Sequence, residues 1–220
     1  MEAQWKERRV LVVTSVEAER EAVWRGLQAD SRFEVIIGGV GPMSAAARTA
    51  RELASQPYDL VVCAGICGGF VGRADVGSIV VASEIICADL GAETPDGYMS
   101  VDELGFGSAR ISVDSDLSGS LTAAVKKAGI PAVCAPVLTL STVTGTAQTT
   151  AELLARVPTA AAEAMEGFGV ATAALDFGLP IVELRAVSNA IGPRDKSAWR
   201  IKEALSALEQ ASSALREVLR

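Results

Sequence analysis

The sequence predicts an α/β fold, a three-layer α/β/α sandwich around a mixed, mostly parallel central sheet. Continuous apolar runs rich in Val and Ile, which suit strands covered on both faces, alternate along the chain with segments of helical spacing. Half of the 220 residues are apolar but only 5% are aromatic, which favours close packing of helices on a sheet. The length and the even composition predict a single domain over residues 1–220.

The N-terminal half is predicted to hold four strands, over residues 9–14, 33–37, 59–64 and 77–86. A short amphipathic helix is predicted over 18–27, where Ala22, Val23 and Leu27 share one face. A second helix is predicted over 44–54, after Pro42, a residue suited to a first helical turn. The glycine-rich segment 65–69 is expected to be a loop in which backbone comes close to a ligand.

In the C-terminal half, residues 89–107 are rich in Gly, Asp and Glu, and we predict a mobile or variable segment with a turn at 94–97. Further helices are predicted over 117–128, 150–156 and 166–177, the last ended by Gly178. Strands are predicted over 132–140 and 180–188, and the small apolar run 159–164 is expected to be another. Apolar residues at helical spacing over 195–219 predict one long closing helix.

Charge and composition narrow the class of protein. The net charge of −7 makes a nucleic-acid partner unexpected, because phosphate contacts need clustered Lys and Arg. No apolar run reaches the ~18 to 20 residues of a membrane span, and residues 1–9 lack an apolar signal core. We therefore expect a cytoplasmic protein with no membrane partner. Without any histidine, the four cysteines are expected to be buried thiols rather than zinc ligands: Cys63, Cys67, Cys87 and Cys134.

Polar residues follow several predicted strands, in segments 15–21, 65–69, 165–167 and 188–195. In open α/β sheets such strand ends bind ligands. Glu166 would be a buried carboxylate whose oxygens two adjacent sugar hydroxyls could satisfy, unless it only caps the following helix. Asn189 could read a heteroaromatic edge that carries both a donor and an acceptor, unless it is a turn residue.

Two clusters of charged residues have both a structural and a functional interpretation. Glu17, Glu19 and Glu21 lie near a helix N-terminus, where the helix dipole stabilises acids, but one that faces a pocket could activate a water as a general base. The run Arg194, Asp195, Lys196 and Arg200 could be a solvated face. Alternatively, its basic residues could capture a substrate carboxylate.

Several motifs resemble the nucleoside phosphorylase and nucleosidase superfamily, and within it the nucleosidases that hydrolyse 5'-modified nucleosides. The resemblance covers nearly the whole chain and includes the strand and acidic loop 12–19, the turn Gly39-Val40-Gly41, the glycine-rich segment 64–69 and the strand 76–81. Most specific is Ala164-Met165-Glu166-Gly167, followed at the family's distance by Arg185-Ala186-Val187-Ser188-Asn189. It implies the nucleoside phosphorylase-like form of the predicted fold.

The resemblance also implies roles for individual residues. Glu19 matches the acid that activates the attacking water, and Glu166 matches the ribose-binding glutamate, with Met165 beneath the sugar. Ile66 and Gly68 belong to the base-side segment, and Ser188 precedes the base-reading residue. Asn189 stands where adenine-specific nucleosidases have an aspartate, and an amide suits a 6-oxopurine because it donates to the ring carbonyl and accepts from N7 when that nitrogen carries a proton. Hypoxanthine is therefore the expected base.

Within the superfamily, residues 164–168 and 188–197 resemble the subfamily of nucleosidases that act on futalosine, an inosine-like nucleoside of the alternative menaquinone pathway. Its 5' substituent ends in a benzoate, for which Arg194 is a candidate partner. Hydrolysis is expected over phosphorolysis because a carboxylate at Glu19 would repel phosphate. The resemblance implies no metal or organic cofactor, and a homodimer or larger homo-oligomer with segment 89–107 at its border.

Three other functions remain open from the sequence. One is phosphorolysis of an inosine-like nucleoside, and another is hydrolysis of a different 5'-modified nucleoside by a methylthioadenosine-type nucleosidase. The third is a nucleoside-binding module without turnover.

Overall fold

The computed structural model describes residues 8–219. The expectation that the N-terminus has no signal core concerns mainly residues 1–7, which lie outside this range. The strands within it are β1 Val10–Thr14, β2 Phe33–Ile37, β3 Leu60–Gly69, β4 Ile79–Cys87, β5 Gly91–Thr94, β6 Gly97–Ser100, β7 Arg110–Ser112, β8 Ala132–Thr139, β9 Ala162–Ala164 and β10 Ile181–Ala190. The helices are α1 Glu17–Leu27, α2 Pro42–Ser55, α3 Val101–Leu104, α4 Ser115–Lys127, α5 Ala147–Arg156, α6 Gly167–Asp176 and α7 Ile201–Val218, with a 3-10 helix at Lys196–Ala198.

The central sheet is mixed and mostly parallel. Strand β1 pairs in parallel with β2 and β3, β3 with β10, and β8 with β4 and β9. The pairings of β10 with β4, β3 with β9 and β4 with β7 are antiparallel. Helices α1, α4 and α7 pack together, and α2 packs on α6. The predicted α/β fold with a central sheet flanked by helices is therefore confirmed.

One feature of the sheet was not predicted: the short strand β9 returns to the end of β3. Glu163 and Ala162 pair with Gly68 and Gly69, so that β3, β10, β4, β8 and β9 form a closed ring of pairings. This closure brings β9 and β10 to opposite edges of β3. The residues at these strand ends surround the candidate site.

Burial on both faces explains why the strands have continuous apolar sequences. All five residues of β1 are buried, and α7 buries Ala204, Leu208, Ala211 and Leu215 along one face. Each fully buried Val or Leu side chain contributes roughly 1.5–3 kcal/mol of transfer free energy. The helical spacing of the apolar residues therefore predicted the buried face of α7.

The prediction of a loop at 65–69 is wrong, because β3 continues through Gly69. These glycines do not form a turn. They allow atoms of other segments to come close to the backbone of β3. A Cβ atom at Gly65 would lie 2.7 Å from Glu19 Oε1, and one at Gly69 would lie 2.2 Å from the carbonyl oxygen of Ala74. Glycine in a strand interior can mark such crowded positions as well as loops.

The single closing helix over 195–219 is also wrong. The Asp195 side chain accepts a hydrogen bond from the Ser197 N–H at 2.9 Å and caps the separate 3-10 turn. The Arg200 N–H then donates to the Ser188 carbonyl at 2.8 Å, which ties the chain to β10 before α7 begins. The break therefore keeps the residues around 195–199 beside the strand ends.

One further prediction is corrected in part. Cys63, Cys67 and Cys87 are buried, but Cys134 is exposed. It lies in the first half of β8, where β8 pairs with β4 alone, since β9 covers only the residues from Val137 onward. Segment 89–107 contains the β5–β6 hairpin, with the predicted turn, and α3.

No helix within residues 8–219 has the length and apolarity to cross a membrane.

Candidate active site

A cavity of about 420 Å³ opens where β3, β9 and β10 end. Its lining includes every site residue predicted from the sequence: Glu19, Ile66, Gly68, Met165, Glu166, Ser188, Asn189 and Arg194. The loop after β1, the two residues before α6 and the segment after β10 complete the wall. The structure therefore brings together residues that are separated by up to 175 positions in the chain, from 19 to 194.

Glu19 is held in place by three backbone N–H groups. Its Oε2 accepts from Ser15 at 2.8 Å and from Val16 at 3.3 Å, and its Oε1 accepts from Ile66 at 2.8 Å. The side chain thus caps α1 and also reaches across to β3. A carboxylate has about four acceptor positions, so one remains for a water or a ligand. Glu17 and Glu21 are exposed, and for them the helix dipole is a sufficient explanation.

Glu166 does not cap α6, so the capping alternative is wrong. Its Oε1 accepts from the Gly41 N–H at 3.2 Å, and its Oε2 pairs with Arg185 Nη1 at 3.2 Å. Thr139 Oγ1 instead accepts from the Phe168 N–H in the first turn of α6. One protein donor reaches each oxygen of this buried acid, so two acceptor positions remain for the sugar hydroxyls that the sequence analysis predicts as its partners.

Arg185 is fully buried and organises this part of the site. Its Nε donates to Glu183 Oε1 at 2.8 Å, and its Nη2 lies 3.2 Å from Cys63 Sγ. Burial raises the pKa of Glu183, and Arg185 acts against that rise. Burial alone would lower the pKa of Arg185, but the acidic groups around it outweigh burial and raise the pKa, so the guanidinium stays charged.

Sequence reasoning missed this network, although the sequence contains a signal for it. Glu183 and Arg185 are two charges placed two residues apart in the otherwise apolar first seven residues of β10. Residues at that spacing point to the same face of a strand. A buried ion pair was therefore foreseeable.

Asn189 lies within β10, so the interpretation as a turn residue is wrong. The pairing of β10 with β3 shifts between Val187 and Asn189, which leaves Ser188 as an extra residue and pairs Asn189 with Gly68. Ser188 Oγ lies 3.0 Å from the Cys67 carbonyl oxygen and 2.9 Å from Asn189 Oδ1, and Asn189 Nδ2 donates to the Ala190 carbonyl at 3.0 Å. The amide is thereby oriented at the cavity wall.

Glu163 is a cavity residue that the sequence analysis did not select. It is 5% exposed, and its carboxylate accepts from the Thr144 N–H at 2.7 Å and from Thr144 Oγ1. Burial raises the pKa of Glu163, and the two bonds from Thr144 act against that rise. The signal in the sequence is one acidic residue inside the small apolar run 159–164.

Arg194 lies at the rim of the cavity. Its guanidinium stands 5.1 Å from the ring centre of Trp199, another lining residue that was missed. The backbone N–H of Arg194 donates to the Gly145 carbonyl at 3.2 Å. Of the charged run, Asp195 also lines the cavity, whereas Lys196 and Arg200 do not. The run therefore divides into a cavity part and a solvated part.

Comparison with known proteins places the chain in a family. A family model described as the phosphorylase superfamily matches residues 8–220. The futalosine hydrolase of Streptomyces coelicolor is 49% identical over 96% of this chain and 96% of its own length. The futalosine hydrolase of Acidothermus cellulolyticus is 42% identical over 93% of this chain and 89% of its own.

A solved structure supports the same fold. The 5'-methylthioadenosine/S-adenosylhomocysteine nucleosidase of Colwellia psychrerythraea, in complex with adenine, has a TM-score of 0.83 at 23% identity and covers 98% of this chain and 97% of its own. The sequence identities support a narrower family assignment than the similarity in fold does. The chain therefore belongs to the phosphorylase superfamily and, within it, to the family of the futalosine hydrolases.

Proposed function

We propose that this protein hydrolyses the N-glycosidic bond of futalosine and releases hypoxanthine and dehypoxanthine futalosine, a step of menaquinone biosynthesis. The observation that carries the proposal is that Glu19, Glu166 and Asn189 line one cavity. Relatives that are 36% to 49% identical to the chain are named futalosine hydrolases. In this proposal Glu19 activates the water, Glu166 binds the sugar and Asn189 binds the base.

The spacing along β3 fits a nucleoside that lies along the strand. Ile66, whose N–H holds Glu19, and Gly68, which pairs with Asn189, are two residues apart. At about 3.3 Å per residue their Cα atoms are roughly 7 Å apart. The sugar carbon that is attacked would lie near Glu19, and the purine would lie along the strand toward Asn189.

In the proposed reaction, the bond between C1' and the base nitrogen N9 breaks and its electron pair leaves with the base. Asn189 donates to the ring carbonyl oxygen as negative charge develops on the purine. The sugar becomes oxocarbenium-like, and the carboxylates of Glu166 and Glu19 stabilise its positive charge. A water held at the remaining acceptor position of Glu19 attacks C1' and transfers its proton to that carboxylate. Glu19 then releases this proton to solvent, and the hypoxanthine anion takes up one proton from solvent, so that the base leaves neutral.

Charge favours water over phosphate as the attacking group. The carboxyl group of Glu19 faces the cavity. Arg185, a cation that could otherwise attract phosphate, is already paired with Glu166 and Glu183. A phosphate dianion at C1' would meet the Glu19 carboxylate at close range. This arrangement argues for hydrolysis and against the phosphorylase alternative.

The experiment is incubation with futalosine, with and without phosphate, followed by chromatography for free hypoxanthine. We expect hypoxanthine in both reactions at similar rates. Hypoxanthine only with phosphate, together with ribosyl phosphate, would identify a phosphorylase instead. No hypoxanthine in either reaction, while futalosine still binds, would identify a nucleoside-binding module. Methylthioadenosine in place of futalosine tests the third alternative.

Three finer assignments belong to the same proposal. Arg194 would bind the benzoate of the 5' substituent, because it is an exposed guanidinium at the cavity rim without an ion-pair partner in the described part of the chain. The protein would act in the cytoplasm, and it would form a homodimer or larger homo-oligomer. Light scattering coupled to size-exclusion chromatography tests the assembly, and a monomer would contradict it.

A further inference from the structure

We propose that Glu163 is a specificity-determining residue that accepts a hydrogen bond from the N1–H group of a 6-oxopurine, on the side of the base opposite to Asn189. The inference rests on the proposed function, because it assigns a second contact to the base in the same cavity. Glu163 was not among the site residues predicted from the sequence. Its position in the sheet indicates the proposed role.

Glu163, Gly68 and Asn189 form one row across three neighbouring strands. Gly68 pairs with Glu163 of β9 on one side and with Asn189 of β10 on the other. Directly paired residues have their side chains on the same face of a sheet. Because strands lie about 4.8 Å apart, the Cα atoms of Glu163 and Asn189 are about 10 Å apart. The middle position has no side chain of its own, and Ile191 Cγ1 lies 2.7 Å from where a Cβ of Gly68 would stand. A flat ring between the two polar side chains would therefore lie against Ile191, which also lines the cavity.

The irregular pairing at Ser188 is what completes this row. With regular pairing after Val187, Ser188 would stand opposite Gly68 and Asn189 would point to the other face. The extra residue shifts Asn189 into register with Gly68, and therefore with Glu163. Bulges near functional sites commonly re-aim a side chain in this way.

The Glu163 carboxylate has acceptor capacity left. Thr144 donates once to each of its oxygens, through the backbone N–H and through the hydroxyl. About two of its four acceptor positions are thus unused. Within residues 8–219, no Lys or Arg forms a salt bridge with this acid, although it is buried at the cavity wall. A buried carboxylate without a cationic partner is stabilised by each further donor that reaches its free acceptor positions.

The chemistry of the base supplies such a donor. In a 6-oxopurine the ring nitrogen N1 carries a hydrogen, whereas in a 6-aminopurine N1 carries a lone pair. An ionised carboxylate attracts the first and repels the second. Asn189 would contact the N7 and carbonyl edge while Glu163 contacts N1, so that both sides of the carbonyl group are recognised.

The experiment measures the dissociation constants of hypoxanthine and adenine by isothermal titration calorimetry, for the wild type, Glu163→Gln and the exposed control Glu152→Gln. Because burial raises the pKa of Glu163, the titrations are run at about pH 8 rather than at lower pH, which favours the ionised carboxylate. The amide of Glu163→Gln keeps the size of the side chain and can still bond to Thr144. It loses the charge and gains a donor that suits the N1 lone pair of adenine.

We expect Glu163→Gln to weaken hypoxanthine about tenfold and to leave adenine unchanged or tighter, since a charge-assisted bond is replaced by a neutral one. Glu152→Gln should match the wild type. An unchanged hypoxanthine-to-adenine ratio, including an equal loss of both ligands, would overturn the role of Glu163 while the proposed function stands. A wild-type protein that does not prefer hypoxanthine would instead contradict the proposed choice of base.

Discussion

The carboxylate of Glu19 accepts a hydrogen bond from the backbone N–H of Ile66 at 2.8 Å, which joins the first turn of α1 to the middle of β3. The contact needs Gly65 beside it, because a Cβ atom there would lie 2.7 Å from the same carboxylate oxygen. The acid is thus fixed at the cavity wall before any ligand enters. Such preorganisation is what a general base requires.

Replacement of this acid by its amide tests that role. Glu19→Gln should lower kcat for futalosine about 10²- to 10⁴-fold, the usual contribution of a general base, and leave the dissociation constant within a few fold. Single-turnover rates and equilibrium binding are the two measurements. Glu17→Gln, in the same helical turn but exposed, is the matched control and should behave as wild type. Turnover of Glu19→Gln near the wild-type rate would refute the assignment.

The choice of base should depend on Asn189. We expect Asn189→Asp to reduce the preference for inosine-type over adenosine-type nucleosides by about tenfold or more, because an ionised carboxylate accepts hydrogen bonds but cannot donate to the ring carbonyl as the amide does. The ratio of kcat/KM values for the two substrate types is the measurement. If discrimination is unchanged, the base is not read by this amide.

The rim cation should matter for the 5' substituent alone. Arg194→Gln should weaken futalosine about 10- to 100-fold, the range for a hydrogen bond between charged groups, while inosine, which has no benzoate, is unaffected. Lys196→Gln, in the same charged run but outside the cavity lining, is the control. Equal losses for futalosine and inosine in Arg194→Gln would place the benzoate elsewhere.

Two helical glycines should respond in opposite directions to a methyl group. At Gly169 in α6 a Cβ atom would lie 2.1 Å from the Pro42 carbonyl oxygen, so Gly169→Ala should destabilise by roughly 1–3 kcal/mol. At Gly119 in α4 no atom lies within 4 Å, and Gly119→Ala should stabilise by about 0.4–1 kcal/mol. Urea denaturation measures both. Equal effects would mean that α2 and α6 are not in such close contact.

The same contact links stability to the site. Gly41, which precedes Pro42, donates its N–H to Glu166. A methyl group at Gly169 that pushes α2 away should therefore also raise the KM for futalosine, whereas Gly119→Ala should leave it unchanged.

Stability should depend on pH through Glu183. Burial raises its pKa from the ordinary value of 4.5, so the native state binds this proton more tightly than the unfolded state. The corresponding stability is fully present below pH 4.5 and is lost as the pH rises through the native pKa. Against wild type, Glu183→Gln should therefore become relatively more stable as the pH rises above 4.5.

Urea denaturation at a series of pH values measures this difference. Glu17→Gln is a control of opposite sign, because the hydrogen bond from Arg20 lowers the pKa of Glu17, whose contribution is lost only as the pH falls below 4.5. Stability curves for Glu183→Gln and wild type that stay parallel above pH 4.5 would contradict the burial argument.

Local patterns predicted most elements and the chain segments that meet in the cavity, whereas the roles of individual residues came from the resemblance to the superfamily. Apolar runs and helical spacing are set by burial, which explains why β1, β2 and α4 were predicted within two residues at each end. Long-range pairing was not predictable in the same way. The sequence of β9 does not show that it joins β3, and glycines that permit close approach at Gly65 resemble those of a loop.

The same dependence on long-range pairing explains why two site residues were not predicted. Glu163 and Arg185 gain their roles from partners on other elements, Thr144 for the first and Glu166 for the second. Single charges inside apolar strands were the available signal. Their meaning depends on which strands become neighbours.

The most direct test of the account is a crystal structure of Glu19→Gln with futalosine bound. The account predicts an intact nucleoside along β3, with its ribose hydroxyls bonded to Glu166 and the N7 and carbonyl edge of its purine at Asn189. A nucleoside bound outside this cavity, or in it with the ribose away from Glu166 and the purine edge away from Asn189, would contradict the account.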